Sequence, residues 1–142
     1  CMRVVPGTHH AQVAHNDTAD ERNLLSRGQE IAVEVKEADA VDIVLQPGEM
    51  SLHHVLLVHG SDPNTSDRRR IGFAIRYVPA YVRQVAGPRD SAMLVRGEDR
   101  FGHFEHEPQP KVDMGEAERA THRRITEEAA RILYRGTGRT PV

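Results

Sequence analysis

Cysteine is almost absent from this sequence. Its single cysteine, Cys1, cannot form an internal disulfide and has no partners for a structural zinc site. Long apolar runs are lacking too, because the longest, residues 55–58, is far short of a membrane span. No charged-then-apolar signal peptide opens the chain. We therefore expect a cytoplasmic protein with no membrane partner and no redox chemistry at sulfur.

The sequence also lacks a strong excess of charge of either sign. It has 19 Lys and Arg against 21 Asp and Glu, a formal net charge of -2, and the two signs are interspersed. A nucleic-acid partner is therefore not expected, since such proteins carry a basic footprint. The 142 residues leave room for one domain of ordinary globular composition. The oligomeric state stays open.

The start of the chain predicts a strand that ends in a turn at Pro6 and Gly7. A natural start rarely has this form, with Cys1 in place of methionine. We therefore expect the chain to be a fragment whose missing residues would pair with this strand. By itself such a fragment would be marginally stable, because strand edges and a core face would be exposed.

Short strands separated by turns are predicted along most of the chain. Alternating or apolar patterns mark strand candidates at residues 31–35, 40–45, 50–59, 69–78 and 92–95. Polar loops are expected at residues 8–20, 60–67 and 97–110. In the 69–78 strand, apolar side chains would share one face, and Arg70 would share the other with two small residues and Arg76.

The pattern changes to a helical period near the C-terminus. Apolar and small residues at four-residue spacing predict one amphipathic helix at residues 116–134, with Asp113 as N-cap and Gly136 at its end. Many short strands and one terminal helix favour a mainly β fold, an antiparallel sandwich or barrel of the jelly-roll kind. We divide the chain into residues 1–113, the helix at 114–135 and a tail at 136–142.

The best candidate site joins the end of one predicted strand to the start of the next. His59 would stand at the first strand's end and Arg70 on the second, across a tight loop. A neutral imidazole is a good iron(II) ligand, and a guanidinium matches a carboxylate. The Ser61 hydroxyl can add a hydrogen bond to the same carboxylate. The alternatives are purely structural: His59 would be a strand-end histidine hydrogen-bonded to backbone, and Arg70 a surface arginine in an ion pair.

Several separated motifs, in order, resemble the phytanoyl-CoA dioxygenase family across residues 1–113. They are Cys1-Met2-Arg3-Val4-Val5-Pro6-Gly7-Thr8-His9, Arg27-Gly28-Gln29-Glu30, Gly48-Glu49-Met50-Ser51-Leu52-His53-His54, His59-Gly60-Ser61 with Pro63-Asn64, Ser66 and Arg70, and Leu94-Val95-Arg96-Gly97. The resemblance implies the C-terminal half of a double-stranded β-helix, the jelly-roll or cupin-like fold. It also implies His59 as the third iron ligand and Arg70 as the clamp on the far carboxylate of 2-oxoglutarate.

The implied activity is that of a non-haem iron(II) dioxygenase. With Fe(II), 2-oxoglutarate and O2 it would hydroxylate a small organic substrate and convert 2-oxoglutarate to succinate. In the family a His-x-Asp pair, the other two iron ligands, precedes the segment that opens this chain, so the chain by itself is expected to be inactive. His15-Asn16-Asp17 spells the same motif, but it follows that segment, in a predicted loop. An iron-dependent halogenase and a non-catalytic jelly-roll remnant that binds a ligand or has a structural role are the alternatives.

Other histidines are weaker candidates. His53 would lie about 20 Å from His59 along a regular strand, too far to share a metal ion unless the strand bends. His9 and His10 are expected in a loop that borders the pocket mouth. Arg76 would line the pocket or, more simply, form a structural salt bridge. The least favoured candidate is an adventitious metal site in the predicted polar loop at residues 97–110. It would use His103, Glu105, His106 and Glu107.

Overall fold

The structure is a computed structural model, and it describes residues 1–18, 20 and 27–138. Contacts divide the chain into two compact units, Cys1–Gly72 and Phe73–Val142. The division of the sequence at residues 113 and 135 stays a prediction. No segment of helix within the described residues is long and apolar enough to cross a membrane.

A three-stranded antiparallel sheet forms the centre of the first unit. Its middle strand is β1 (Met2–Val4), and β4 (Val41–Ile43) and β5 (His59–Gly60) pair with its two edges. Val4 therefore lies between Val41 on one side and His59 on the other. The strand predicted at the start of the chain is confirmed, and the one at residues 40–45 is confirmed over its middle.

A two-stranded antiparallel sheet follows in the same unit, and it corrects the loop expected at residues 8–20. Strand β2 (His15–Asp17) pairs with β3 (Gln29–Ile31), and a short 3-10 turn covers Thr8–His10. The side chain of Arg27 holds Asp17 through two hydrogen bonds of 3.0 Å. The polar residues of this stretch thus form strands through partners that are ten or more positions away.

Four predicted strands are wrong over most or all of their length. Those at residues 31–35, 50–59 and 92–95 keep only Ile31, His59 and Ala92 as strand residues, and the one at 69–78 keeps none. Between residues 50 and 58 the chain bends through a turn in which the Leu57 N–H donates to the His54 carbonyl at 3.0 Å. Residues 69–78 form no strand with any described residue, and Phe73 is 90% exposed. The sequence periodicity favours a strand there, but a strand also needs a neighbour to accept its backbone hydrogen bonds.

The second unit combines a short parallel pair with the only α-helix of the described residues. Strand β6 (Ser91–Ala92) pairs with β7 (Glu105–His106), and α1 runs over Glu116–Leu133. The helix is confirmed within one residue, although Gly115 rather than Asp113 stands at its N-cap. Gly136, with φ of 78°, follows its end. A strand reaching residue 95 is wrong beyond Ala92.

The described residues thus contain seven short strands and one C-terminal helix, which fits the mainly β class. The strands form one sheet of three and two sheets of two, and no closed barrel joins them. The jelly roll therefore stays a prediction. Val4 and Val58 are the two large apolar side chains that are buried among the described residues. Val4 pairs with His59, and the Val58 carbonyl accepts from the Val5 N–H at 2.9 Å, so both buried residues belong to the pairing of β1 with β5.

Candidate metal centre

His59 occupies the first position of β5, next to the buried Val58. Its exposed ring contacts the backbone through Nδ1, which lies 2.7 Å from the Leu57 carbonyl oxygen. A carbonyl oxygen can only accept, so Nδ1 carries the proton in this contact. The neutral imidazole then has its lone pair on Nε2, the form in which histidine binds metals. Bonding to backbone and metal binding are thus compatible roles.

An open pocket of about 250 Å³ lies against His59. It collects residues from β1, β3 and β5 and from the segments between strands. Its lining consists of Arg3, Val5, Ile31, Val35, Glu37, Ala40, Val58, His59, Gly60, Ser61 and Asp62. The structure therefore brings two sequence-predicted residues, His59 and Ser61, to one cavity.

Arg3 lines this pocket, and sequence reasoning gave it no role. Its guanidinium hydrogen-bonds to Glu37, contacts Asp42 at 3.1 Å and lies 3.8 Å from Asp62. The hydrogen bond and the charge of Glu37 raise the pKa of Arg3 above its ordinary value. With carboxylates around it, Arg3 is a structural cation rather than a receptor for an anionic ligand. The sequence held one indication of this: Arg3 alternates with the apolar residues Met2 and Val4, so in a strand its side chain lies on the opposite face from theirs.

Arg70 lies on an exposed stretch beside Gly72 and is not among the pocket-lining residues described. The loop between it and His59 is closed by Asn64, whose Nδ2 donates to the Arg68 carbonyl at 2.7 Å. The Asn64 Oδ1 accepts from the hydroxyl and the N–H of Ser66 at 2.8 and 3.1 Å. Asn64 and Ser66 of the sequence motif therefore shape the loop that joins the two predicted site residues.

The distance argument about His53 is wrong. The ring centroids of His53 and His59 are 5.5 Å apart, because the turn at residues 54–57 replaces the straight strand on which about 20 Å was based. The ring centroid of His9 lies 4.0 Å from that of His10 and 5.8 Å from that of His54. Still, no group of three His, Cys, Asp or Glu among the described residues is arranged to hold a metal ion.

The His-x-Asp triplet at residues 15–17 forms β2, and the Asp17 carboxylate forms an ion pair with Arg27.

His10, one of the two histidines expected at a pocket mouth, lines a second cavity of about 460 Å³. Arg76 is exposed and forms no ion pair with the described residues. Among the described residues, Arg76 therefore has neither the structural salt bridge nor the place in the His59 pocket that the sequence predicted.

In the second unit, the acidic and histidine side chains of residues 103–107 have other partners. Glu105 binds Arg124 at 2.7 Å, and Glu107 accepts from the Ser91 hydroxyl at 2.8 Å. His106 Nε2 lies 3.2 Å from Asp99. These contacts tie β7 to α1 and β6, so the cluster is explained by structure rather than by metal binding.

A comparison with protein-family models matches residues 1–72 to the phytanoyl-CoA dioxygenase (PhyH) family. The match covers just over half of the 142 residues and includes β1 to β5, the pocket, His59, Ser61 and Arg70. No curated protein matches the chain, and no solved structure does. The matched family is the one that the sequence motifs resemble, and the matched residues include the pocket at His59. The chain belongs to the phytanoyl-CoA dioxygenase family.

Proposed function

We propose that this chain is part of an iron(II)- and 2-oxoglutarate-dependent dioxygenase that hydroxylates a small organic substrate. In this proposal His59 Nε2 binds the iron, and Ser61 and Arg70 bind a carboxylate of 2-oxoglutarate. When bound, iron would activate O2, with one oxygen atom entering the substrate and the other the succinate formed as CO2 leaves. Iron(II) oxygenases of this type use two histidines and one carboxylate. The described residues supply His59, so two further protein ligands are required.

The contact from His59 Nδ1 to the Leu57 carbonyl carries this proposal. It leaves the lone pair that a metal would need on Nε2, in a residue that lines an open pocket. A second support is electrostatic. Arg3 is neutralised by carboxylates in the pocket, whereas Arg70 forms no ion pair with the described residues and keeps its charge for an anionic co-substrate.

The test is 2-oxoglutarate turnover with Fe²⁺ under air, measured as succinate release, by a protein that combines this chain with the two further iron ligands, since the chain by itself is expected to be inactive. His59→Ala should lower turnover by at least about 100-fold, since even the loss of outer-shell partners costs 10- to 100-fold. His122→Ala, an exposed histidine of α1, is the control and should leave turnover unchanged.

Arg70→Ala should raise the KM for 2-oxoglutarate and leave the affinity for the metal unchanged, with Arg69→Ala as its neighbouring control. Binding of 2-oxoglutarate without any turnover would overturn the oxygenase proposal and favour the non-catalytic alternative. Turnover that His59→Ala does not reduce would remove His59 from the site.

A further inference from the structure

The peptide group between Leu57 and Val58 is hydrogen-bonded at both ends. Its N–H, on Val58, donates to the hydroxyl oxygen of Thr8 at 2.9 Å. Its carbonyl, on Leu57, accepts from His59 Nδ1 at 2.7 Å. Because a peptide group is planar and stiff, fixing its N–H also fixes the direction of its carbonyl. The Thr8 hydroxyl and the imidazole are therefore the two ends of one hydrogen-bonded chain.

The Thr8 hydroxyl is itself held in place. Its hydrogen points to the Val5 carbonyl, 2.7 Å away, which leaves its lone pairs for the Val58 N–H. The Val58 carbonyl in turn accepts from the Val5 N–H at 2.9 Å. Thr8 is half-buried, and a β-branched side chain has few accessible rotamers. The hydroxyl thus links the end of β1 to the residue before His59, across 50 positions of sequence.

We propose that Thr8 is a positioning residue for His59. By holding the Leu57–Val58 peptide group it aims the carbonyl that keeps the proton on His59 Nδ1, and so keeps Nε2 ready for a metal. Without this hydroxyl the peptide group can tilt, the imidazole loses its fixed partner, and both tautomers become accessible. The role in metal binding rests on the function proposed above, whereas the effect on the imidazole does not.

The chain offers a matched control in Thr18. Its hydroxyl also donates to a backbone carbonyl, that of Gly28 at 2.9 Å, and accepts from the Asp20 N–H at 3.4 Å. Its hydrogen bonds lie in the β2–β3 region rather than at His59. Thr8→Val and Thr18→Val remove the same pair of hydrogen bonds at two places, while Thr8→Ser retains the hydroxyl.

Two measurements test the proposal, the first on this chain and the second on the protein that combines it with the two further iron ligands. The first is the ¹⁵N NMR spectrum of the histidine rings, in which His59→Gln identifies the His59 signals. We expect a single Nδ1-protonated form in the wild type, Thr8→Ser and Thr18→Val, and a mixture of tautomers in Thr8→Val. The second is titration with Co²⁺ in place of Fe²⁺. Thr8→Val should bind Co²⁺ about tenfold more weakly, the lower end of outer-shell effects, while Thr8→Ser and Thr18→Val bind as the wild type does.

The outcomes separate the two proposals. Thr8→Val with the wild-type tautomer overturns the positioning role, whatever the metal does. A shifted tautomer in a protein whose wild type binds no Co²⁺ supports the positioning role and contradicts the metal site. If Thr8→Val does not fold, hydrogen exchange in the wild type decides. A Val58 amide that exchanges at the rate of an unprotected amide overturns the proposal, and a protected one supports it.

Discussion

Asp99 is a carboxylate of the second unit with several hydrogen-bond donors. It accepts from the backbone N–H groups of Phe101 and Gly102, both at 2.9 Å, and lies 3.2 Å from His106 Nε2. The backbone hydrogen bonds, first that of Gly102 and then that of Phe101, lower the pKa of Asp99 from 3.8 to about 2, and His106 adds to this. This one carboxylate therefore orders the turn that leads into β7.

The turn should depend on pH in a window set by that pKa. The folded-state value lies below the ordinary one, so ionised Asp99 stabilises the turn fully above about 3.8. This contribution is lost as the pH falls through about 2. An NMR titration of the Asp99 carboxyl carbon should have its midpoint near that lower value. A midpoint at the ordinary value would contradict the three-donor arrangement, and Asp99→Asn should remove the dependence in this window.

Individual site residues were partly predictable, because a motif preserves chemical identity and order. His59 and Ser61 do line one pocket, and the loop motif between His59 and Arg70 does close on itself through Asn64. Thr8 could not be found in this way, since its partner Val58 is 50 positions away and the hydrogen bond is to backbone. Long-range pairing to backbone leaves no trace in the identity of the partner residue.

Strand β1 is the element that holds the first unit together. It pairs with β4 and β5, and its Val4 is 8% exposed. Val4→Ala should therefore lower the free energy of unfolding by about 2 kcal/mol, the contribution of a buried valine side chain. Urea denaturation would measure it. Val33→Ala is the control, since Val33 is 50% exposed and its loss should cost much less. Equal effects of the two variants would contradict the central place of β1.

Elements differed in how well their patterns predicted them, for a physical reason. The period of α1 is local, because each turn of a helix satisfies its own backbone, and its prediction was correct within one residue. The segment at residues 69–78 has an equally regular pattern of period two. Its backbone bonds would have to come from another strand, and none of the described residues provides one. Periodicity therefore predicts a strand only together with its neighbour.

Exposed apolar surface is the main property of the molecule as a whole. Val4 and Val58 are buried, whereas many other large apolar residues of the described chain, such as Leu52 and Phe73, are exposed. The exposed fraction of Leu52 is 84%. Patches of this kind mark interaction surfaces or sites of aggregation. Little burial also means little free energy to offset the entropy of the ordered chain.

The isolated chain should therefore bind the dye ANS strongly and self-associate as its concentration rises. Light scattering coupled to size exclusion would measure the association, and thermal denaturation the cooperativity. Phe73→Ser should weaken both dye binding and association. A monomer that unfolds in one sharp transition at high concentration would contradict this prediction.

The strand order β4-β1-β5 has a consequence for synthesis on the ribosome. The middle strand of the sheet is translated first, and its partner at His59 follows 55 positions after Val4. At 5–20 residues per second, the nascent β1 waits about 3 to 11 s for its last partner. During those seconds its two backbone edges are open to other nascent chains and to chaperones. Slow codons between β1 and β5 would lengthen this wait, so the yield of folded protein should depend on the speed of translation there.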